Sequence, residues 1–229
     1  MKIYNIIIFI NCDYTEKLKK FIPIFLYNKM ENQMNETNKT NKTNEIDEKN
    51  KKKYYKKIFK KYVLEFKKEF RHFLLTSRFN NSTWNENQKY RKKHPEIGCI
   101  YCSPDPITVS IPKDSIVFIL EMNNDENKIL GIGMIRNHPI VNKFTVYDEG
   151  NYNRYVYTGK NRIDRTEMTT EEDRIMKVFD ILCFTGNKHM KRGQGLKSFP
   201  VDMLYRCSKK LDLVQFIRDM FKNRISNTK

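Results

Sequence analysis

The amino-acid sequence predicts an α+β fold: a small mixed or antiparallel β-barrel flanked by amphipathic helices. Three observations carry this. Residues 116–120 are a continuous apolar run, as in a strand covered on both faces. The Asn- and Asp-rich turn 123–127 comes next, and the chain returns through Ile129, Leu130, Ile132, Met134 and Ile135, which predicts an antiparallel pair of central strands over 116–121 and 129–136. Residues 54–77 place Tyr55, Phe59, Tyr62, Val63, Phe66, Phe70, Phe73 and Leu74 at three- and four-residue steps, the period of an amphipathic helix. At 229 residues the chain is long enough for one domain with a real core plus extensions.

In chain order, residues 1–30 form a short apolar extension. The run 3–10 contains Asn5 and lacks a small-residue cleavage site, so it does not read as a signal peptide. The run 21–27 holds Pro23 and is too short to span a bilayer, so a membrane is not an expected partner. Residues 31–53 are rich in Asn, Lys and Thr and are expected to be a disordered linker, for want of apolar surface to offset ordering entropy. The sequons at Asn35, Asn38 and Asn41 read as by-products of this repeat. Residues 54–229 then hold the basic helix and the barrel domain.

The formal net charge is +17, and its placement is uneven. Residues 51–95 carry 15 Lys and Arg against three Asp and Glu, most of the excess in one fifth of the chain. Such a block suits a polyanion. Five scattered cysteines argue for a reducing compartment, the cytoplasm or nucleus of a host cell or a virion, rather than a disulfide scaffold.

Residues 77–93 read as a polar loop around the single tryptophan, Trp84, ending in Lys89, Arg91, Lys92 and Lys93. A Trp among amides offers a stacking face to an unstacked base; the alternative is a Trp that anchors the loop to the core. His94, Cys99 and Cys102 have zinc-ligand spacing, with Cys183 or His189 as the fourth ligand. The second half of that site is not a tight pair, so no metal or other cofactor is expected, and two buried thiols are the alternative. Further strands are predicted at 107–111, 144–147 and 154–158; on the last, Tyr155 and Tyr157 share a face, as core or as a stacking platform. Thr169 and the acidic turn after it start a helix, with Ile175, Met176, Val178, Phe179 and Leu182 buried and Gly186 at its end. The loop 187–200 sets Gly193 and Gly195 among Lys188, His189, Lys191, Arg192 and Lys197, so its backbone can approach phosphate. It lacks the Gly-Lys-Ser/Thr ending of a hydrolytic P-loop. Residues 209–225 are expected to form a closing helix.

Asp114-Ser-Ile-Val-Phe-Ile-Leu-Glu121, and after it Ile129-Leu-Gly-Ile-Gly-Met-Ile135, resembles the PUA-like superfamily in its EVE, YTH and ASCH branches, over roughly residues 76–200. Ser115 stands in place of the Gly-Asp pair of that pattern. The resemblance implies a pseudo-barrel holding one base, often a modified one, in a polar and aromatic pocket. The composition is similar to that of uncharacterised proteins of large AT-rich DNA viruses.

The expected function is non-catalytic binding of DNA or RNA. Lys56, Lys57, Lys60, Lys61, Lys89, Arg91, Lys92, Lys93, Lys188, Lys191 and Arg192 are the expected phosphate contacts, and Trp84, Arg154 and Tyr155 the expected base pocket. One alternative is a structural protein that neutralises packaged nucleic acid. A second is a metal-dependent nuclease using Asp105 and Glu121, in which Asn123 stands where a Lys is needed.

Overall fold

The apolar run that begins at Ile116 needs cover on both faces, and the tertiary structure supplies it. The computed structural model describes residues 44–69, 73–141, 144–187 and 189–227. They form α1 (Asn44–Glu69), β1 (Phe73–Phe79), α2 (Asn81–Lys93), β2 (Cys99–Ser103), β3 (Ile116–Asn123), β4 (Lys128–Arg136), β5 (Ile140–Val141), β6 (Tyr155–Gly159), β7 (Asn161–Asp164), α3 (Thr170–Phe184), β8 (Lys197–Ser198), α4 (Val201–Ser208) and α5 (Leu213–Asn227). The class is α+β, as expected. The expected barrel is not formed among the described residues: their strands pair into two open sheets, a five-stranded one ordered β7-β4-β3-β1-β8 and a three-stranded one ordered β2-β6-β5. Expectations for residues 1–43, for Phe70 and for Lys188 lie outside the described residues.

β3 and β4 are the predicted antiparallel pair, in register from Ile116 opposite Arg136 to Asn123 opposite Lys128. Side chains alternate across the sheet. Phe118, Leu120 and Met122 meet Phe179, Ile217 and Phe221 of α3 and α5 on one face. Val117 and Ile119 meet Tyr101, Val156 and Tyr157 of the smaller sheet on the other. Between Leu120 and Met122 the register shifts at Glu121, which is buried. The glycines of β4 make room for what Glu121 binds. A Cβ on Gly133 would collide with the Tyr101 hydroxyl, and one on Gly131 would lie 2.7 Å from both Arg162 Nη2 and Glu121 Oε2.

Several expectations are corrected. The helix expected over 54–77 begins earlier and ends earlier, as α1. Residues 44–53, expected to be linker, are its first turns: Lys and Glu are good helix formers, and the helix propagates outward from its docked part. Phe73, Leu74 and Ser77 belong instead to β1, which runs parallel to β3. A short apolar run fits both periods, and pairing with β3 decides the outcome. Residues 107–111 are turn and coil between Pro106 and Pro112; Ile111 N–H bonds the Thr108 carbonyl, and Ile107 N–H donates to the Tyr157 hydroxyl at 2.9 Å. Residues 144–147 are not a strand either, because Val146 and Tyr147 N–H both donate to Asn153 Oδ1. The closing helix expected over 209–225 is α5, which starts only at Leu213, and the separate short helix α4, not expected from the sequence, precedes it.

α3 starts at the predicted cap, with Thr169 Oγ1 accepting from Glu172 N–H, and Gly186 comes just past its end at φ +74°. α1 docks by its aromatic stripe: Phe59 and Phe66 stand edge-on to Tyr205 of α4, and the Arg206 guanidinium lies over Phe59. Lys56, Lys57, Lys60, Lys61, Lys67 and Lys68 are exposed.

Candidate functional site

The C-terminal ends of β1 and β3 stop side by side, with Phe79 opposite Asn123. The segments leaving the two strands close a pocket there. After β1 the chain enters α2 through a capping box: Asn80 Oδ1 accepts from Thr83 N–H at 2.8 Å, and the Thr83 hydroxyl accepts from Asn80 N–H. After β3 the Asn-rich turn is tied to the same helix end, since Asn123 Nδ2 donates to Asn81 Oδ1 and Asp125 Oδ2 accepts from Asn81 N–H. The loop before β8 folds over both. Arg78 Nε donates to the Met190 carbonyl at 2.6 Å, Asn124 Nδ2 donates to the Lys191 carbonyl at 3.1 Å, and Leu196 N–H donates to Ser103 Oγ. A Cβ on Gly195 would collide with Ser103 Oγ, so this backbone lies directly against β2.

The cavity so enclosed measures about 260 Å³. That is below the ~300–1,000 Å³ usual for drug-sized ligands and suits one small flat group. Phe79, Tyr147 and Tyr152 give it an aromatic side; Arg78, Asn124 and the turn Gly193-Gln194-Gly195 give it a polar one. Arg78 Nη1 and Asn124 Oδ1 are buried there without a hydrogen-bond partner. Buried polar groups are nearly always satisfied, so an orphaned donor and acceptor in one pocket wall mark a place where a ligand or water belongs. Burial, ahead of a compensating influence from Cys183, holds the Arg78 guanidinium below its ordinary pKa range. A larger groove of about 590 Å³ runs beside β8 between Phe73, Ile111 and Leu204. None of the orphaned polar atoms lies in its lining, so the smaller pocket is the better candidate.

The sequence-derived pocket residues are placed differently. Residues 81–93 are a helix, not a polar loop. Its few core-facing positions, Trp84 and Asn87 among them, hide the period, and the cap at Asn80 is the local signal that marks its start. Trp84 is 9% exposed and packs edge-on against Phe79, behind the pocket wall. The guanidinium groups of Arg91 and Arg162 lie over its ring at 5.3 and 5.4 Å. It therefore presents no open stacking face. Arg91 also donates to Asn87 Oδ1, while Asn87 Nδ2 donates to the Ile100 carbonyl and the Tyr147 hydroxyl. Arg91 is thus committed to the wall rather than held out to phosphate. Arg154 is exposed at the start of β6, Tyr155 is half-buried against the smaller core, and neither lines the pocket. Tyr157 is buried core. Lys89, Lys92, Lys93 and Arg192 are exposed, and Lys191 is half-buried beside the glycine turn.

The carboxylate of the nuclease alternative is fully occupied. Glu121 is 1% exposed; Arg162 grips it in a fork at 2.7–3.0 Å, and the Tyr101 hydroxyl donates to it at 2.7 Å. Asp105 is exposed. The zinc candidates are not brought together. Cys99 and Cys102 lie three apart on β2 and so point to opposite faces, while Cys183 belongs to the core across the large sheet. Among the described residues no group of three His, Cys, Asp or Glu is arranged to hold a metal ion.

Burial pushes the thiols of Cys99 and Cys102 up to about 12, so at pH 8 only about 10⁻⁴ of each is thiolate. Iodoacetamide at that pH is expected to leave Cys99, Cys102, Cys183 and Cys207, all buried, unlabelled in the native protein and to label all four after unfolding. Peptide mapping by mass spectrometry reads this out; native labelling of Cys99 or Cys102 at the denatured rate would contradict the packing.

Among the described residues no helix is long and apolar enough to cross a membrane. No family model matches the chain, and no curated protein or solved structure proves similar to it.

Proposed function

We propose that this protein binds nucleic acid without cutting it, seating one unstacked base in the pocket at the ends of β1 and β3 and contacting phosphates with surrounding lysines and arginines. The observation that carries this reading is the pocket itself. It has aromatic and amide chemistry, room for one flat group, and an orphaned donor and acceptor, and Lys191 and Arg192 immediately precede its glycine turn in the chain. Unstacked bases are held in this way, by stacking on aromatic side chains and hydrogen bonding at their edges. The resemblance to the PUA-like superfamily points in the same direction, since its members hold a base in a polar and aromatic pocket. The exposed lysines of α1 and of the C-terminal turn of α2 add sequence-blind attraction.

Fluorescence anisotropy against single- and double-stranded DNA and RNA, at several salt concentrations, tests the reading. Changing Lys56, Lys57, Lys60 and Lys61 to Gln is expected to weaken binding to every sequence. The same change should flatten the log–log salt slope by roughly 0.7–0.9 per lost contact. Tyr152→Ala is expected to cost about 1–3 kcal/mol in binding with the salt slope unchanged. A folded protein that binds none of these polymers at low salt would overturn the proposal. Binding that depends on salt but shows no preference among bases, with Tyr152→Ala silent, would favour the packaging alternative.

A further inference from the structure

Resting on that reading, we infer that the turn Gly193-Gln194-Gly195 is a phosphate seat at the mouth of the pocket, so that the ligand is a nucleoside 5′-phosphate unit held by both its base and its phosphate.

The turn is fixed in place by bonds that leave its own donors free. Its flanks are tied down on one side through the Met190 and Lys191 carbonyls and on the other through Leu196 N–H. Among the described residues the N–H groups of Gly193, Gln194 and Gly195 have no hydrogen-bond partner. Gly193 at φ +103° and Gly195 at φ +64° adopt backbone that L side chains rarely take. Alternating backbone of this kind lets successive N–H groups converge on one anion. All three residues line the cavity.

Charge favours the same ligand. Arg78 lines the pocket with Nη1 unpartnered, and Lys191 and Arg192 immediately precede the turn. Glu149, exposed, is the one carboxylate among the described lining residues. A guanidinium and free backbone N–H groups make charge-assisted hydrogen bonds, stronger than those between neutral groups. A bare base would use the aromatic side and leave this cationic rim idle; a bare phosphate would leave Phe79, Tyr147 and Tyr152 idle. A nucleotide uses both.

Isothermal titration of the full chain at low salt with nucleosides, their 5′-monophosphates and inorganic phosphate separates these cases. For the preferred base, the monophosphate is expected to bind at least about tenfold tighter than the nucleoside. The double variant Lys191→Gln/Arg192→Gln, at a half-buried and an exposed position, should shrink that ratio to about threefold or less, with nucleoside affinity unchanged. A trinucleotide binding far tighter than the monophosphate assigns the seat to a strand, and equal affinity assigns it to a free nucleotide; either supports the inference. Nucleoside and monophosphate binding equally well would overturn it and leave the base pocket standing. Inorganic phosphate binding as tightly as the monophosphate would overturn it in favour of a plain anion site. Oligonucleotide binding with none of the three small probes bound would also overturn it. If no oligonucleotide binds either, the proposed function fails as well.

Discussion

Arg162→Met is expected to destabilise the protein by about 3–5 kcal/mol, the usual cost of stripping one partner from a buried ion pair. Glu121 is 1% exposed and its carboxylate rests on two groups, the Arg162 guanidinium and the Tyr101 hydroxyl. Without Arg162 the charge stays buried with a single hydrogen bond. The guanidinium also bonds Asp164 at 2.7 Å and covers part of the Trp84 ring, so its loss should loosen α2 and the pocket wall behind Phe79. Chemical denaturation monitored by Trp84 fluorescence measures the effect. The double variant Glu121→Leu/Arg162→Met removes both charges and should be less destabilised than the single one, because no charge is then left alone. A loss below about 1 kcal/mol for Arg162→Met would show that the buried Glu121 does not depend on this partner.

Gly133→Ala is expected to cost about 3 kcal/mol, large for the addition of one methyl group. The new Cβ would collide with the Tyr101 hydroxyl, and the ring carbon bearing that hydroxyl would stand only 2.7 Å away. Tyr101 is completely buried and cannot swing clear. Overpacking of this kind costs about 1–3 kcal/mol. Displacing the Tyr101–Glu121 hydrogen bond, made to a charged group, adds about 1.5–3 kcal/mol. The entropy that Ala removes from the unfolded chain offsets only about 0.4–1 kcal/mol. Gly150→Ala is the control: a Cβ there meets no atom within 4 Å, and its effect should stay within about 0.5 kcal/mol. Equal midpoints for the two variants in denaturant would sink the account of the β4 glycines.

How far the fold could be read in advance depends on the range of the interactions that decide each part. Local chemistry determined the β3–β4 pair, through an apolar run, a turn that admits positive φ at Asn127, and a return strand. It likewise determined β6, the Thr169 cap of α3 and the aromatic stripe with which α1 docks. The concentration of basic charge in residues 51–95 is a fact of sequence alone. Tertiary structure decided the rest. β1 became a strand by pairing in parallel with β3, more than forty residues ahead, and α2 is a helix whose few buried positions gave too little period to see. Trp84 looked like a stacking face because its neighbours in sequence are polar. Its neighbours in space, Phe79, Arg91 and Arg162, make it part of a wall. The pocket draws on residues 77–80, 83, 102, 124, 147, 149, 152 and 193–195. No pattern in a single stretch encodes a site whose parts meet only when Arg78 reaches the Met190 carbonyl, 112 positions away. Backbone periods and caps are written into neighbouring residues, whereas the meeting of distant side chains depends on which sheet faces the core leaves to be covered.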